Sequence, residues 1–311
     1  MNIVKYTSNL KEKWDSFVKN NSFNGTIFHT MEFLSYHPKD RFQDKSILIY
    51  DKDKIQAVFP CVLNSTNKYF SHGGSSHGGP VILKGLKSSK IVEIITLVIN
   101  HYNKLSNSLS MRIPEQVFSD EPIDPILYGF QSQGFKLTTE LSVSAPLKNL
   151  ESRLSKNSIR NIKKYKDFEL VYDDKSYTFF HNMLTENLKK HNATPTHSLS
   201  ELLNLRDIFG PQRNMLILTK QNNQVLSGIW SIKCRNAWYA FYICKDYNIQ
   251  GNHSTAFSLY QSMIESRNKG ATDYCFGICT ENGGSYLNTG LIDFKESMGA
   301  IPTLRYLISS Q

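Results

Sequence analysis

Two stretches of the chain carry the same run of apolar and polar positions. Ser46-Ile-Leu-Ile-Tyr50 is largely apolar, Asp51-Lys-Asp-Lys54 is polar, and Ile55 to Leu63 is again mostly apolar. Asn214-Met-Leu-Ile-Leu-Thr219, Lys220 to Asn223 and Gln224 to Cys234 repeat that order. Strand, polar turn, strand is the signature of a β-hairpin. Beyond each hairpin, a helix is predicted from about Ser89 to Leu105, with Ser88 or Ser89 as N-cap, and from about Ser254 to Asn268. The first leads to Ser108-Leu-Ser-Met-Arg-Ile113 and the second to Thr272-Asp-Tyr-Cys-Phe276, both read as strands. A short helical piece, a glycine (Gly134 or Gly299) and a closing strand complete each half.

The offsets agree. The hairpins start 168 residues apart, at 46 and 214, and the helices 165 apart, at about 89 and 254. The late glycines are also 165 apart. Ordered features at one offset point to duplicated domains. The expected architecture is therefore two tandem α/β domains with mixed sheets, residues 1–148 and 149–311.

Composition narrows the class. Hydrophobic residues make up 40% of the 311 positions and aromatics 12%, enough for real cores. The longest apolar run, Ile91 to Ile99, is broken by Glu93 and is too short to cross a bilayer. We expect no transmembrane segment, no signal peptide and a cytoplasmic location. The five cysteines are scattered and form no CxxC pair, so they read as reduced thiols. The net charge of +9 favours an anionic partner: nucleic acid, anionic membrane or a small polyanion. Charge alone does not choose among them.

Part of that charge is concentrated between the halves. Arg153 to Lys166 holds six basic residues and no acid. At helical spacing Arg153, Lys156, Arg160 and Lys163 or Lys164 share a face. Such a run is either a solvated helix face or a phosphate-facing stripe. Gly74-Ser-Ser-His-Gly78 fits the G-x-S-x-G pattern of a hydrolase nucleophile, but a strand, not a helix, is predicted to follow at Pro80 to Leu83. No Walker A, dinucleotide or zinc pattern is present. His191 and His197, six apart around a proline, are poorly spaced for a metal.

Several segments resemble the FemAB-like acyl-CoA N-acyltransferases, which carry two domains of the GNAT fold. They are Ser158-Ile-Arg-Asn-Ile-Lys-Lys164, Asn187 to His191 with Pro195 to Leu199, Tyr274-Cys-Phe-Gly277, Asn288-Thr-Gly-Leu291 and Phe294-Lys-Glu-Ser-Met-Gly299. In the first half, Phe28 to Phe33 and Ser76 to Pro80 also resemble the family. Two departures stand out. Cys275 replaces an aspartate common in relatives, and Gln250-Gly-Asn-His-Ser-Thr255 does not match the usual pyrophosphate loop.

The resemblance implies transfer of an acyl group from a coenzyme A thioester, a co-substrate and not a tightly bound cofactor, to an amine. The acceptor would be a small envelope precursor such as an amino-sugar. The alternative is aminoacyl transfer from tRNA to a peptidoglycan precursor. Relatives of that kind often carry a long helical arm, for which no Lys/Glu-rich insert is seen, so the thioester donor is preferred.

Transfer needs a positioned amine, a route for its proton and a group that stabilises the oxyanion. Ala237 to Cys244, with Tyr239 and Phe241, is the candidate strand for the donor arm. Gly251, Asn252, His253 and Ser254, opening a helix, form the candidate anion site. Lys295 and Glu281 are the candidate catalytic residues. Arg160, His191, His197, Asn288 and Phe294 are the candidate acceptor contacts, expected to face a cleft between the domains. No metal is expected.

Overall fold

The computed structural model describes residues 1–310 except 39, 40, 65, 105–107 and 191. The chain forms two compact units. One holds residues 1–141, 280–286 and 303–311; the other holds 142–279 and 287–302. The strand Lys136–Pro146 passes from one unit into the other, and the closing strand Ile301–Ser309 of the second half pairs antiparallel with Leu109–Ile113 in the first unit.

In the first unit the expected hairpin is Ile47–Asp51 with Lys54–Phe59, flanked by Asn2–Lys5 and Val81–Ile82 in an antiparallel sheet. A parallel pair, Tyr69–Ser71 with Leu109–Ile113, makes the unit mixed. The helix Ser88–Asn103 begins where expected, although Lys87 is its N-cap and makes no side-chain cap hydrogen bond. Its predicted last residue, Leu105, lies outside the described residues. Ile91, Ile94, Ile95, Val98, Ile99 and Tyr102 bury one side of this helix in an apolar core with the sheet. Gly78 is in close packing there, since a Cβ on it would lie 1.8 Å from the carbonyl oxygen of Ser71. The Gly74–Gly78 loop leads to the strand at Val81, so no nucleophile elbow forms.

Beneath that loop lies a buried histidine cluster. Thr26 donates its backbone N–H to His29 Nδ1 at 3.0 Å. That bond leaves the proton on His29 Nε2, 3.2 Å from the carbonyl oxygen of Gly78. The Thr26 hydroxyl is also 3.0 Å from His77 Nδ1. Burial pushes His72 down to about 4, and burial with the nearby His29 and Arg305 drives His77 well below its ordinary value.

In the second unit five strands run in spatial order: β1 (Asp167–Val171), β2 (Asn214–Gln221), β3 (Gln224–Cys234), β4 (Ala237–Lys245) and β5 (Asp273–Ile278). Residues 142–146 of the crossing strand pair with β5. All pairings are antiparallel except β4 with β5. The helices are α1 (Lys156–Ile162), α2 (Asp174–Lys189), α3 (Leu199–Phe209), α4 (Ser254–Asn268) and α5 (Thr289–Ser297). The apolar side of α2 packs on the sheet. Gly228 in β3 makes room for it, because a Cβ there would sit 2.7 Å from the Phe180 ring.

The helix α4 is seated differently. Ser254, Ser258, Ser262 and Ser266 recur every fourth residue and are fully buried, so they share one face. The hydroxyls of Ser258 and Ser262 bond to the sheet, that of Ser266 to the helix itself, and that of Ser254 to Asn252 in the loop before it. Ser258 Oγ lies 2.5 Å from Thr219 Oγ1 and 2.7 Å from Ser227 Oγ. Ser262 Oγ lies 2.9 Å from both Ser231 Oγ and the Tyr274 hydroxyl. Ser266 donates to the carbonyl of Ser262.

The serine face and the histidine cluster each give a prediction. Ser258→Ala leaves Thr219 and Ser227 with a lost partner in a buried interface, and should cost about 1–3 kcal/mol in urea unfolding. Tyr274→Phe should cost less, about 1 kcal/mol, because Ser231 and Ser262 still bond to each other. A wild-type midpoint for Ser258→Ala would show that the serine face contributes nothing to stability. The second prediction concerns acid. His72 and His77 stay neutral when folded, whereas in the unfolded chain they take up protons below about pH 6.5. Their contribution is therefore fully present above about pH 6.5 and is lost as pH falls, for His72 towards about 4. Urea midpoints should drop from about pH 7 to about pH 5, and drop less in His72→Gln.

Candidate functional site

The site begins where β4 and β5 part. They pair in parallel over only three residues, Ala237 with Asp273, Trp238 with Tyr274 and Tyr239 with Cys275. β4 then continues to Lys245, with residues 240–245 absent from the ladder to β5. The cause is local. A bulge between Cys275 and Gly277 puts Gly277 at φ 73°. The Tyr239 ring occupies the space beside it, and a Cβ on Gly277 would lie 3.2 Å from that ring. A left-handed φ and a close aromatic neighbour together require glycine.

Lys295 secures the end of β5. It lies in the last turn of α5, is buried, and donates from Nζ to the carbonyl oxygens of Gly277 at 3.3 Å and Ile278 at 2.9 Å. It also sits beside the Cys279 thiol. Burial raises that thiol, and the lysine charge offsets part of the rise.

The loop from β4 into α4 is organised by one side chain. Asn252 is buried. It donates to the carbonyls of Leu226 at 2.9 Å and Asp246 at 3.0 Å, and accepts from the Ser254 N–H at 3.0 Å and hydroxyl at 2.6 Å. Gly251 provides the turn, at φ 65°. On the opposite side Asn187 of α2 grips the end of β4, donating to the Lys245 carbonyl at 2.6 Å and accepting from the Lys245 N–H at 3.0 Å. Lys245 Nζ in turn reaches the Asn252 carbonyl at 3.2 Å.

These elements enclose a cavity of about 580 Å³. Its walls are Ile243 to Lys245 of β4, the start of α4 with Asn252, His253, Thr255 and Ala256, Leu291, Phe294 and Lys295 of α5, and Asn157, Arg160, Asn161 and Lys164 of the α1 region. Arg160, Lys164, Lys245 and Lys295 line it with His253, and among the described residues no Asp or Glu does. The N-terminal end of α4 adds partial positive charge. The arrangement suits a polyanionic ligand.

Of the residues expected from sequence, Arg160, Asn252, His253, Phe294 and Lys295 line this cavity together. Tyr239, Phe241, Gly251, Ser254, His197, Asn288 and Glu281 do not. The Tyr239 ring lies beside Gly277, and Ser254 is buried with its hydroxyl donated to Asn252. Phe241 packs on His197 and Trp230. His197 is buried, with Nδ1 2.7 Å from the Tyr242 hydroxyl. Asn288 caps α5 by accepting from the Leu291 N–H. Glu281 is exposed in the 280–286 segment of the first unit. His191 lies outside the described residues.

The basic stretch is also shorter as a helix than expected. α1 ends at Ile162, and Arg153 lies in a separate 3-10 turn, so only Arg160 and Lys164 reach the cavity. Lys245 was not among the expected site residues, and Asn187 was noted only as the start of a segment that carries the family resemblance. Lys245 directly follows the predicted strand, which was the available signal.

No protein-family model matches the chain, and comparison with curated proteins finds no match. Solved structures do match. FemX aligns with 99% of this chain and 97% of its own, at a TM-score of 0.73 and 13% identity. The C-terminal domain of a putative lysylphosphatidylglycerol synthetase from Agrobacterium fabrum aligns over 98% and 93%, with a TM-score of 0.62 and 9% identity. A tandem GNAT protein from the clavulanic acid biosynthesis pathway aligns over 100% and 98%, with a TM-score of 0.55 and 8% identity. At these identities the likeness is one of fold. The chain has the tandem GNAT-type fold shared with FemX, as the motifs led us to expect. Among the described residues no helix is long and apolar enough to cross a membrane.

The electrostatics give a test. Arg160→Glu with Lys164→Glu should weaken binding of a polyanion such as coenzyme A by on the order of tenfold or more at low salt, since each reversal shifts a charge interaction by about 1 kcal/mol or more. The salt dependence should flatten. Lys163→Glu, outside the cavity, is the control and should change little. Equal affinities for the double variant and the wild type across ionic strength would remove the role assigned to these cations.

Proposed function

We propose that the chain is an N-acyltransferase that moves an acyl group from a phosphate-bearing activated donor to an amine. The observation that carries this reading is the acid-free, cation-lined cavity at the mouth of the β4–β5 opening, with Lys295 in its wall. A donor with a long arm and a phosphorylated end fits such a site. The arm runs along the unpaired edge of β4, and the phosphates meet the start of α4 with Arg160, Lys164 and Lys245.

The preferred donor is an acyl-CoA thioester, and the preferred acceptor is the amine of a small envelope precursor such as an amino-sugar, in the cytoplasm. The amine nitrogen attacks the acyl carbonyl carbon. A C–N bond forms, the C–S bond breaks, and the amine proton leaves with the thiol. Lys295 supplies the positive charge that meets the developing oxyanion. Its two carbonyl contacts hold the ammonium in place before the charge develops, so little reorganisation is needed at the moment of reaction.

A second reading has a specific observation in its favour. The fold is shared with the C-terminal domain of a putative lysylphosphatidylglycerol synthetase, a name that denotes an aminoacyl product. An aminoacyl-tRNA donor would also place phosphates against the same cations. In that case a C–O ester bond breaks instead of C–S, and the rest of the step is unchanged.

A thermal-shift series with acetyl-CoA, longer acyl-CoAs and charged tRNA separates the two, because a ligand that binds only the folded state raises its apparent stability. Stabilisation by acyl-CoA supports the first donor. Stabilisation by charged tRNA alone replaces it with the second. No response to either overturns the transferase reading. Lys295→Met should then lower kcat by roughly 10²-fold with donor affinity retained, as loss of one oxyanion-stabilising group does. A loss confined to KM would assign Lys295 to ground-state binding instead.

A further inference from the structure

The basic stretch between the halves is only partly used by the cavity. Arg160 and Lys164 line it, whereas Lys156, Lys163 and Lys166 do not. All five are exposed. Among the described residues none of Lys156, Lys163 and Lys166 is in an ion pair, as exposed Lys19 is with Glu32 and exposed Lys189 with Glu186. The helix that carries them is pinned from behind. The Ser155 N–H donates to the Ser297 carbonyl at 2.9 Å, and the hydroxyl of buried Ser158 lies 3.0 Å from that of Ser297. At helical spacing Lys156, Arg160 and Lys163 share the side opposite Ser158, so they face outward.

The edge of the sheet continues this side of the unit. Phe168 of β1 packs on Phe257 of α4 with ring centroids 6.2 Å apart, and Tyr165 packs on the same ring at 6.1 Å. Phe168 lies opposite Thr219, whose hydroxyl bonds to Ser258 of α4. Leu170, two residues further along β1, therefore points to the α4 side as well. It is 52% exposed and sits on the outermost strand of the sheet. The acids of β1 point away: Asp167 and Glu169 alternate to the other side, and Glu169 pairs with Lys220 at 2.6 Å. Glu151, ahead of α1, is held by Arg267 at 2.9 Å.

We infer that this face, the outward side of α1 with Lys166 and Leu170, docks on an anionic membrane surface. It stands on the unpaired cations and the exposed leucine, and does not depend on the donor reading above. The cations that the cavity leaves over meet the phosphates of lipid headgroups, and Leu170 enters the interface beside them. A basic cluster with an apolar side chain is the pair of signals that reversible attachment to such a surface takes, and it needs no membrane-spanning helix. An RNA backbone offers phosphates too, but RNA binding gains most from rings free to stack on bases. The rings of this segment are committed: Tyr165 and Phe168 pack on Phe257, and the Tyr165 hydroxyl accepts the His253 N–H at 3.0 Å. An exposed leucine serves a lipid surface and adds nothing to a contact with RNA. Arg160 belongs both to this face and to the cavity wall, so attachment brings the cavity close to the headgroups.

The test is co-sedimentation of the full chain with vesicles of phosphatidylcholine, alone or mixed in equal parts with phosphatidylglycerol. The chain should bind the mixed vesicles only, and less as salt rises. Lys156→Glu with Lys163→Glu and Lys166→Glu should lower partitioning by roughly 10²-fold or more, since one cation near an anionic surface contributes about a fivefold factor. Lys175→Glu with Lys189→Glu and Lys190→Glu makes the same change of net charge on and after α2, across the sheet, and should stay within about threefold of the wild type because screening confines the effect to nearby charges. All these positions are exposed, and circular dichroism checks that each variant is folded. Leu170→Trp adds a direct readout. The three native tryptophans are fully buried, so quenching of its fluorescence by brominated lipid reports on position 170. Quenching in the mixed vesicles is expected, and its absence overturns the docking face. Equal partitioning of the two triple variants also overturns it, as does a wild-type chain that binds neither kind of vesicle. A short RNA duplex bound by the wild type and lost in the first triple variant, with no vesicle binding, replaces the membrane with RNA. Coenzyme A binding is measured separately, so none of these results decides the donor.

Discussion

The contact on which the second unit depends is the hydroxyl face of α4. A helix against a sheet is ordinarily held by apolar side chains, whose attraction is strong but indifferent to small slides. Here Ser258 and Ser262 meet Thr219, Ser227, Ser231 and Tyr274 through hydrogen bonds of 2.5 to 2.9 Å. Hydrogen bonds are short-ranged and directional. A slip of α4 by one residue would break all of them in a fully buried interface. The helix start is therefore fixed relative to β2, β3 and β5, and that start is one wall of the cavity.

From that fixed point the rest of the site is assembled by a few polar side chains. Asn252 ties the α4 start to the loop after β4, Asn187 ties the end of β4 to α2, and Lys295 ties the end of β5 to α5. Each replaces a ladder hydrogen bond that the parting strands give up, or holds the loop that follows. Unpaired backbone near a buried wall is costly. The opening persists because side chains supply the missing partners. The cations then have little freedom to redistribute: Lys295 is buried, and Lys245 is held through both its backbone and its Nζ.

Much of this was legible in the sequence. The duplicated order of hairpin, helix, strand, glycine and closing strand follows from period and turn chemistry, and each element formed near its expected bounds. Gly134 and Gly299 both adopt positive φ after a short helix, as an αL stop requires. The Lys295 and Asn252 neighbourhoods were also anticipated. What the sequence could not reveal is where side chains spend their polar groups. Ser254 looks like a contact at an anion site, yet it is buried and donates both its N–H and its hydroxyl to Asn252. His197 looks like a ligand in a loop, yet it faces Tyr242. Asn288 looks like a substrate contact, yet it caps α5. Asn187 resembles any helix-surface amide until β4 is placed beside it.

The two units show what this polar seating adds. They repeat the same elements, and each places a helix of similar length after its hairpin. In the first, Ser88–Asn103 buries Ile91, Ile94, Ile95, Val98 and Ile99, and its N-cap makes no side-chain bond. In the second, the equivalent face is serine, and the start is bonded by Asn252. Apolar seating suffices to stabilise a fold, because buried area does not depend on exact register. A helix start that must meet phosphates needs more, since charge interactions and hydrogen bonds to a ligand change steeply over about an ångström. The serine face gives less burial energy and more positional definition. The unit that carries it is also the one whose parted strands lead into a cavity lined with cations and no acid.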